Sequence, residues 1–217
     1  MSLILYKSNI SPPVRTVQMA CKALNIEVEE VEVNLLDRNY MKNEFIKINP
    51  ERTIPTLVHN GNVIWDSHAI IAYLAILSGK EEEFYPTEPL KRARINQRLH
   101  FESCNIFGLF RLMAREIGYF GGKGVSDFNI SESNESYERL NLFLEKTKWV
   151  AGDEITLADF SLIPSVTTMD VVVPIDPKYT NIHKWIERAS KEWPYYNINQ
   201  RGLDEFKVVF NSIRGQD

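Results

Sequence analysis

The sequence predicts an α/β domain with the element order βαβ-ββα, followed by an all-α domain. First, residues 1–79 alternate between short runs typical of strands and segments with helical apolar spacing. Second, residues 80–88 are charged and punctuated by proline, as is typical of a linker. Third, residues 89–217 show helical periodicity and almost no strand pattern. We therefore expect a first domain at residues 1–79, a linker at 80–88 and a second domain at 89–217.

The elements of the first domain follow one another in the order just given. The apolar run LILYK suits a buried strand, PPVRTVQMACKALN has helical spacing, and VEEVEVNL alternates like a second strand. The segment TIPTLVHNGNVIWDS predicts two strands joined at Asn60-Gly61, a dipeptide that favours a hairpin turn. SHAIIAYLAIL then resumes the helical pattern. A βαβ unit implies a parallel strand pair, and the hairpin adds antiparallel strands.

The second domain opens with a long helical segment, KRARINQRLHFESCNIFGLFRLMAREIGYF, after the linker sequence GKEEEFYPTEP. Further helices are expected to start near Glu132, Thr156 and Asn181. Thr156 is a good N-cap, and Asp159 is placed to complete a capping box. We interpret this motif as structural and assign it no chemistry.

The composition is that of an ordinary globular protein, with 44% hydrophobic and 25% charged residues among 217. The net charge of −4 and the scattered Lys and Arg residues give no indication of a general affinity for nucleic acid or anionic membranes. No apolar run approaches the ~20 residues of a membrane span, and no signal pattern opens the chain. Two cysteines, Cys21 and Cys104, without a CxxC motif or Cys/His cluster, argue against a disulfide framework or zinc site. We therefore expect a cytoplasmic protein without a metal.

Ser11 lies where the first strand passes into the first helix, with Pro12 preset for the first helical turn. Helix N-termini carry unpaired N–H groups and a partial positive charge, so an anion such as a thiolate is stabilised there. The alternative is that Ser11 only caps its own helix, as serine commonly does. This stretch alone leaves both interpretations open.

Two further features belong to the same small layer. Ile54-Pro55 enters a strand, and a proline there leaves the Ile54 backbone free to pair with an extended ligand. Asp66-Ser67 precedes an apolar helical run and forms a second N-terminus with unpaired donors, although Asp-Ser is also a plain cap signature. Three such features in one βαβ-ββα layer are harder to explain by capping alone.

Five stretches resemble one protein family over essentially the full chain, in order and at the expected spacing. They are SPPVR, NPERTIPTL, WDSHAIIAYL, HFES and LADFS. The chain is identified from them as a member of the cytosolic glutathione S-transferases, closest to the insect epsilon class with delta as its neighbour. The resemblance implies a thioredoxin-like N-terminal domain that binds glutathione and a helical domain that covers the second substrate. It also implies a homodimer.

The resemblance assigns the catalytic role to Ser11, whose hydroxyl is expected to hold the glutathione sulfur as a thiolate. Cysteine at this position would favour a mixed disulfide, so its absence argues for conjugation over thiol exchange. The resemblance assigns the remaining glutathione contacts to Tyr40, Arg52, Ile54, a cis Pro55, Asp66, Ser67 and Arg111. Tyr40 and Arg52 stand where relatives commonly carry histidine. Arginine binds carboxylates bidentately, so we expect Arg52 to meet the glycyl end.

The acceptor site is expected on the long helix, where apolar and basic residues recur at i, i+3, i+4 and i+7. The resemblance assigns to it Leu35, Phe107, Phe110, Arg111, Ala114 and Tyr119. The alternative is that this stripe is core, which is the commoner fate of such spacing. His100 and Glu102 are interpreted as structural residues or as dimer contacts.

The function expected is conjugation of glutathione to hydrophobic electrophiles, in a detoxification role, with hydroperoxide reduction or dehydrochlorination as possible side activities. The partners are glutathione, small hydrophobic electrophiles and a second copy of the chain, without nucleic acid or membrane. Two alternatives stay open: a carrier of glutathione or apolar ligands without turnover, and an interaction module that shares the fold.

Overall fold

The computed structural model describes residues 2–35, 37, 43–120 and 124–215, and for 118–120 it describes the backbone alone. The strands are Leu3–Lys7 (β1), Glu29–Glu32 (β2), Thr56–His59 (β3) and Asn62–Trp65 (β4). The helices are Pro12–Leu24 (α1), Ser67–Leu77 (α2), Glu81–Phe84 (α3), Pro89–Phe101 (α4), Phe107–Phe120 (α5), Asp127–Phe143 (α6), Leu157–Val172 (α7), Thr180–Glu192 (α8) and Tyr196–Arg214 (α9). The predicted order, βαβ-ββα followed by helices, is confirmed. No helix among these residues is long and apolar enough to span a membrane.

The sheet has the strand order β2-β1-β3-β4. β1 pairs in parallel with β2 and antiparallel with β3, which pairs antiparallel with β4. Leu3 and Leu5 of β1 are buried, because alternate residues of a strand face the same side of a sheet. The hairpin turns at Asn60 and Gly61 with φ values of 49° and 81°, as a turn with two left-handed residues requires. The hairpin prediction is confirmed.

The stretch predicted as a linker contains the short helix α3. Its Phe84 is buried and meets Phe160 of α7 edge-on, with ring centroids 5.4 Å apart. The Glu88 side chain then accepts hydrogen bonds from the N–H groups of Leu90 and Lys91 and caps α4. The connection is therefore packed against the helical domain, while the predicted domain boundaries themselves stay a prediction.

The long helical segment is not one continuous α-helix. A π-helical stretch, Glu102–Ile106, separates α4 from α5 and admits one wider turn. A Cβ at Gly108 would lie 2.6 Å from the Ser103 carbonyl oxygen, so Gly108, two residues after this turn, has no room for a side chain. The wider turn directs Glu102 into the protein, where it is 3% exposed.

The later helices begin within a few residues of the predicted positions. α6 starts at Asp127, five residues before the expected Glu132, because Ser126 accepts the Asn129 N–H and caps the helix. α8 starts at Thr180, one residue before the expected Asn181. The periodicity analysis did not separate α9 from the rest of the second domain.

The capping box at the start of α7 is confirmed. The Asp159 carboxylate accepts hydrogen bonds from the N–H groups of Thr156 at 3.1 Å and Val150 at 2.9 Å, and from Trp185 Nε1 at 3.0 Å. Burial raises the pKa of Asp159 to about 6, while these hydrogen bonds act in the opposite direction. One carboxylate therefore joins the start of α7 to the preceding loop and to α8.

Gly202 of α9 lies against the loop before α1. A Cβ there would lie 2.5 Å from Arg15 Cδ and closer still to the Asn9 carbonyl oxygen. We therefore expect Gly202→Ala to destabilise the protein by about 1–3 kcal/mol, even though alanine favours helices. The free energy of unfolding in denaturant measures the loss. Gly152→Ala is the control, because nothing lies within 4 Å of a Cβ there, and equal effects of both would contradict the close approach.

Candidate glutathione and acceptor sites

The strand register brings the predicted site residues to one edge of the sheet. Tyr6 of β1 pairs with Thr56 of β3, and Thr56 pairs with Trp65 of β4. The chain leaves β1, enters β3 and leaves β4 at this edge. The predicted residues adjoining these three strand ends are Ser11, Ile54, Pro55, Asp66 and Ser67. A ligand at this edge therefore meets the starts of α1 and α2 together with the entry to β3.

Ser11 is the N-cap of α1, yet its side chain makes no capping hydrogen bond. Pro12 and Pro13 occupy the first two helical positions and have no N–H to offer. The Ser11 backbone N–H donates to the Ser8 carbonyl at 3.0 Å. The hydroxyl of this largely buried residue has no partner among the residues that the structure describes. The geometry thus favours a hydroxyl held for a ligand over one that caps its own helix.

Ile54 precedes β3 and takes no part in the strand ladder. The Ile54-Pro55 peptide bond is cis, as the resemblance implies. Ile54 belongs to a small apolar cluster with Val14 and Phe45, and Leu35 packs against that cluster. Its side chain is therefore anchored, and the described chain offers no hydrogen-bond partner to its backbone N–H and C=O.

Asp66 caps α2 with one oxygen of its carboxylate. Its Oδ1 accepts the N–H groups of His68 at 2.9 Å and Ala69 at 3.2 Å, so the capping interpretation is confirmed for this residue. The structure gives Oδ2 no hydrogen-bond partner in the described chain, which leaves it available to a ligand ammonium. Asp66 has φ 72°, which is an unfavourable backbone conformation for an L residue. Such conformations recur at ligand sites. Ser67, 9% exposed, follows, and its hydroxyl has no hydrogen-bond partner in the described part of the chain either.

His68 joins this edge to the helical domain, which the sequence did not reveal. Its Nε2 lies 3.1 Å from Glu102 Oε2 and 2.6 Å from Ser161 Oγ, and Ser165 also donates to Glu102. Burial by itself lowers the pKa of His68, but the hydrogen bond and charge of Glu102 outweigh it and raise the pKa. The structural interpretation of Glu102 is supported, whereas His100 is exposed. The only sequence signal for this contact was the stretch HFES, which contains Glu102 but does not indicate that His68 is its partner.

Arg52 is the arginine expected at the glycyl end of glutathione. Arg52 is exposed, has φ 55°, and has no side-chain partner among the described residues. Its N–H donates to the Asn49 carbonyl at 2.9 Å, which fixes the backbone while leaving the guanidinium to a ligand. Tyr40 lies outside the described residues.

The stripe predicted on α5 coincides with the core face of that helix only at Phe110. Ile106, Met113 and Ile117 are buried, whereas Arg111 and Ala114 are exposed. Of the stripe, Phe110 is 7% exposed and Phe107 is half-buried. The side chain of Tyr119 lies outside the described part of the structure. The exposed part of the stripe is therefore accessible to a ligand.

α9 adds aromatic side chains to this stripe, and the sequence analysis missed them. Phe206 meets Phe110 edge-on at 5.6 Å between ring centroids and stacks on Phe210 at 5.6 Å. Phe107 and Phe110 lie 6.0 Å apart by the same measure. The four rings form a continuous apolar wall across two helices nearly 100 residues apart in sequence. No group of three His, Cys, Asp or Glu side chains suited to a metal ion occurs among the residues described.

Two family models match the chain. The model of the glutathione S-transferase N-terminal domain covers residues 5–82, and that of the C-terminal domain covers residues 125–192. A relative from Manduca sexta, glutathione S-transferase 1, is 39% identical over 215 residues, which is 98% of this chain and 99% of that protein.

Two solved structures are similar over almost their whole length. An epsilon-class glutathione S-transferase from the housefly, Musca domestica, has a TM-score of 0.93 and 36% identity, with 98% of each chain covered. A glutathione transferase homologue from Drosophila mojavensis, solved with bound glutathione, has a TM-score of 0.92 and 36% identity, with 97% of each chain covered. The similarity thus extends over both domains described above.

Proposed function

The chain belongs to the glutathione S-transferase family, and from this premise we propose that Ser11 holds the thiol of its co-substrate glutathione as a thiolate for attack on apolar electrophiles. The observation that supports the proposal is the hydroxyl of Ser11 at the N-terminus of α1, which makes no capping hydrogen bond and has no partner within the described part of the chain. A free thiol has a pKa of ~8.5, and each unit of depression needs about 1.4 kcal/mol. One hydroxyl donor at a helix N-terminus supplies stabilisation of this order.

The rest of glutathione is proposed to lie along the same sheet edge. The Ile54 backbone pairs with the cysteinyl part, beside cis Pro55. Asp66 Oδ2 accepts from the γ-glutamyl ammonium, and Ser67 with the start of α2 binds the carboxylate of that end. Tyr40 and Arg111 remain proposed contacts on the resemblance alone. This arrangement holds the sulfur near Ser11 and so supplies the proximity on which conjugation depends.

A conjugation assay tests this function. The purified protein is mixed with glutathione and a chromogenic aryl halide, and product formation is followed against the uncatalysed rate. We expect saturable turnover in both substrates. Retention on immobilised glutathione without any turnover would contradict the catalytic role and leave a carrier. A parallel panel of hydroperoxides and organochlorines detects the side activities.

Arg52 is proposed to bind the glycyl carboxylate of glutathione. We expect Arg52→Ala to weaken glutathione binding by about 1.5–3 kcal/mol, the scale of a charged hydrogen bond. Calorimetric titration measures the loss. A glutathione analogue with an amidated glycyl end is the matched ligand, and its affinity should hardly change. Equal losses for the two ligands would place Arg52 outside the site.

The acceptor site is proposed between the α5 stripe and the aromatic side chains of α9. Ala114 is exposed on that stripe and leaves space for a ligand. We expect Ala114→Phe to lower kcat/KM severalfold for bulky acceptors and to spare small ones, because the ring occupies volume that only large ligands need. A size series of electrophiles measures this selectivity.

Leu112→Phe is the control for that substitution. Leu112 lies on the same helix and is 53% exposed, but it does not belong to the stripe. Its substitution should leave the size selectivity unchanged. If Ala114→Phe also retains wild-type selectivity, the acceptor site lies elsewhere.

We further propose that the protein is a cytoplasmic homodimer with a detoxification role, as is typical of the family. Light scattering after size-exclusion chromatography should give twice the mass of the chain. A monomeric mass over the micromolar range would contradict the dimer.

A further inference from the structure

Arg15 shares a face of α1 with Ser11, one helical turn further on. Its backbone N–H donates to the Ser11 carbonyl at 3.2 Å. Its side chain is 0% exposed and reaches the helical domain, where Nη1 donates to the Asn199 carbonyl at 3.1 Å and Nη2 donates to Thr168 Oγ1. The guanidinium thus lies at the junction of α1, α7 and α9.

No carboxylate of the described residues lies within ion-pair distance of Arg15. Both hydrogen-bond acceptors are neutral, and Nε is buried without a partner. The charged or titratable groups that act on it are Tyr196 and Glu205, and Glu205 is exposed and accepts a hydrogen bond from Asn9. Burial lowers the pKa of Arg15 to about 9, so the side chain stays protonated at neutral pH.

A buried cation without a counter-ion is costly, and two neutral acceptors do not offset its desolvation. The same low dielectric that makes the charge costly extends its field to nearby groups. The stem of Arg15 runs back towards the loop before Ser11, because both Arg15 Cδ and the Asn9 carbonyl border the space that Gly202 leaves open. The stem of Arg15 therefore packs beside the loop that leads into Ser11, at which the sulfur of glutathione is expected.

We propose that the buried charge of Arg15 stabilises the thiolate of glutathione bound at Ser11 through space, as an electrostatic positioning residue that does not touch the substrate. The anion that compensates the cation is then supplied by the substrate. This inference rests on the proposed role of Ser11.

Two variants of the full-length protein test it. Arg15→Met removes the charge together with the hydrogen bonds of the guanidinium. Thr168→Val keeps the charge and removes one hydrogen bond between the domains. The readout is the apparent pKa of the enzyme-bound thiol, from the ultraviolet absorbance of the thiolate and from the pH profile of kcat/KM.

We expect Arg15→Met to raise the bound thiol pKa by about one unit, the scale of the effect of removing a unit charge at a distance on the order of 10 Å and an effective dielectric of about 20. Thr168→Val should keep the wild-type pKa of the bound thiol even where it lowers stability. If Arg15→Met does not fold, Thr168→Val decides, because a rise in its bound thiol pKa would overturn the inference. An unchanged pKa in folded Arg15→Met would also overturn it.

S-methylglutathione separates this inference from the proposed function. It fits the same site but has no ionisable thiol, so at pH 8 Arg15→Met should weaken glutathione about tenfold and S-methylglutathione hardly at all. Equal weakening of both ligands would make Arg15 purely structural and overturn the inference. Failure of the wild-type protein to bind either ligand would instead overturn the proposed function.

Discussion

Ser11→Ala is expected to lower turnover by about one to three orders of magnitude, the cost of removing one positioned donor from a developing or bound anion. The α1 N-terminus remains, so glutathione affinity should change less than kcat. The apparent pKa of the bound thiol should rise, since the hydroxyl favours the thiolate over the thiol. Steady-state kinetics across a pH series measure all three quantities.

Ser8→Ala is the matched control, because it makes the same chemical change three residues earlier in the same loop. Its turnover should stay within a factor of a few of wild type. If Ser11→Ala turns over like wild type, another group activates the sulfur and the unengaged hydroxyl of Ser11 has no catalytic part.

Asp159→Ala is expected to destabilise the fold by about 3–5 kcal/mol. The substitution leaves three buried N–H groups, on Thr156, Val150 and Trp185, without their acceptor. Each unsatisfied buried donor costs about 1–3 kcal/mol, offset in part by the removal of a buried carboxylate. Denaturant unfolding followed by tryptophan fluorescence measures the free energy of unfolding.

Asp153→Ala provides the comparison for this prediction. Asp153 is exposed and accepts one N–H, from Lys148 at 3.2 Å. Its loss should change the free energy of unfolding by no more than about 0.5 kcal/mol. Similar losses in the free energy of unfolding of the two variants would contradict the prediction, because the buried hydrogen bonds of Asp159 would then stabilise the fold no more than the exposed one of Asp153.

The elements that could be predicted are those whose signal lies within a few residues. The hairpin at Asn60-Gly61 follows from the tolerance of that dipeptide for left-handed backbone, and the start of α7 follows from Thr156 and Asp159. The site edge could be predicted for a related reason. Ser11 and Asp66 are local sequence signals for the starts of α1 and α2. The βαβ-ββα order then brings the strand ends beside them together at one edge of the sheet.

The π-helical turn at Glu102–Ile106 could not be predicted, because the local sequence satisfies an ordinary α-helix equally well. What favours the wider turn is the burial of Glu102 against Ser165 of α7 and against His68 of the first domain, and both contacts depend on residues far away in the sequence. Likewise, the stripe on α5 has the spacing of a core face. Only the packing of the neighbouring helices left Ala114 and Arg111 exposed.

The sequence by itself determined the element order, the hairpin, the caps and the serine at the start of α1. The tertiary structure alone decided that, among the residues described, the Ser11 hydroxyl has no hydrogen-bond partner and the buried Arg15 has no counter-ion, and that Phe206 extends the aromatic wall. The physical reason is the separation along the chain between the groups that interact. Caps and turns depend on backbone groups a few residues away, whereas burial and charge environment depend on side chains that long-range packing brings together.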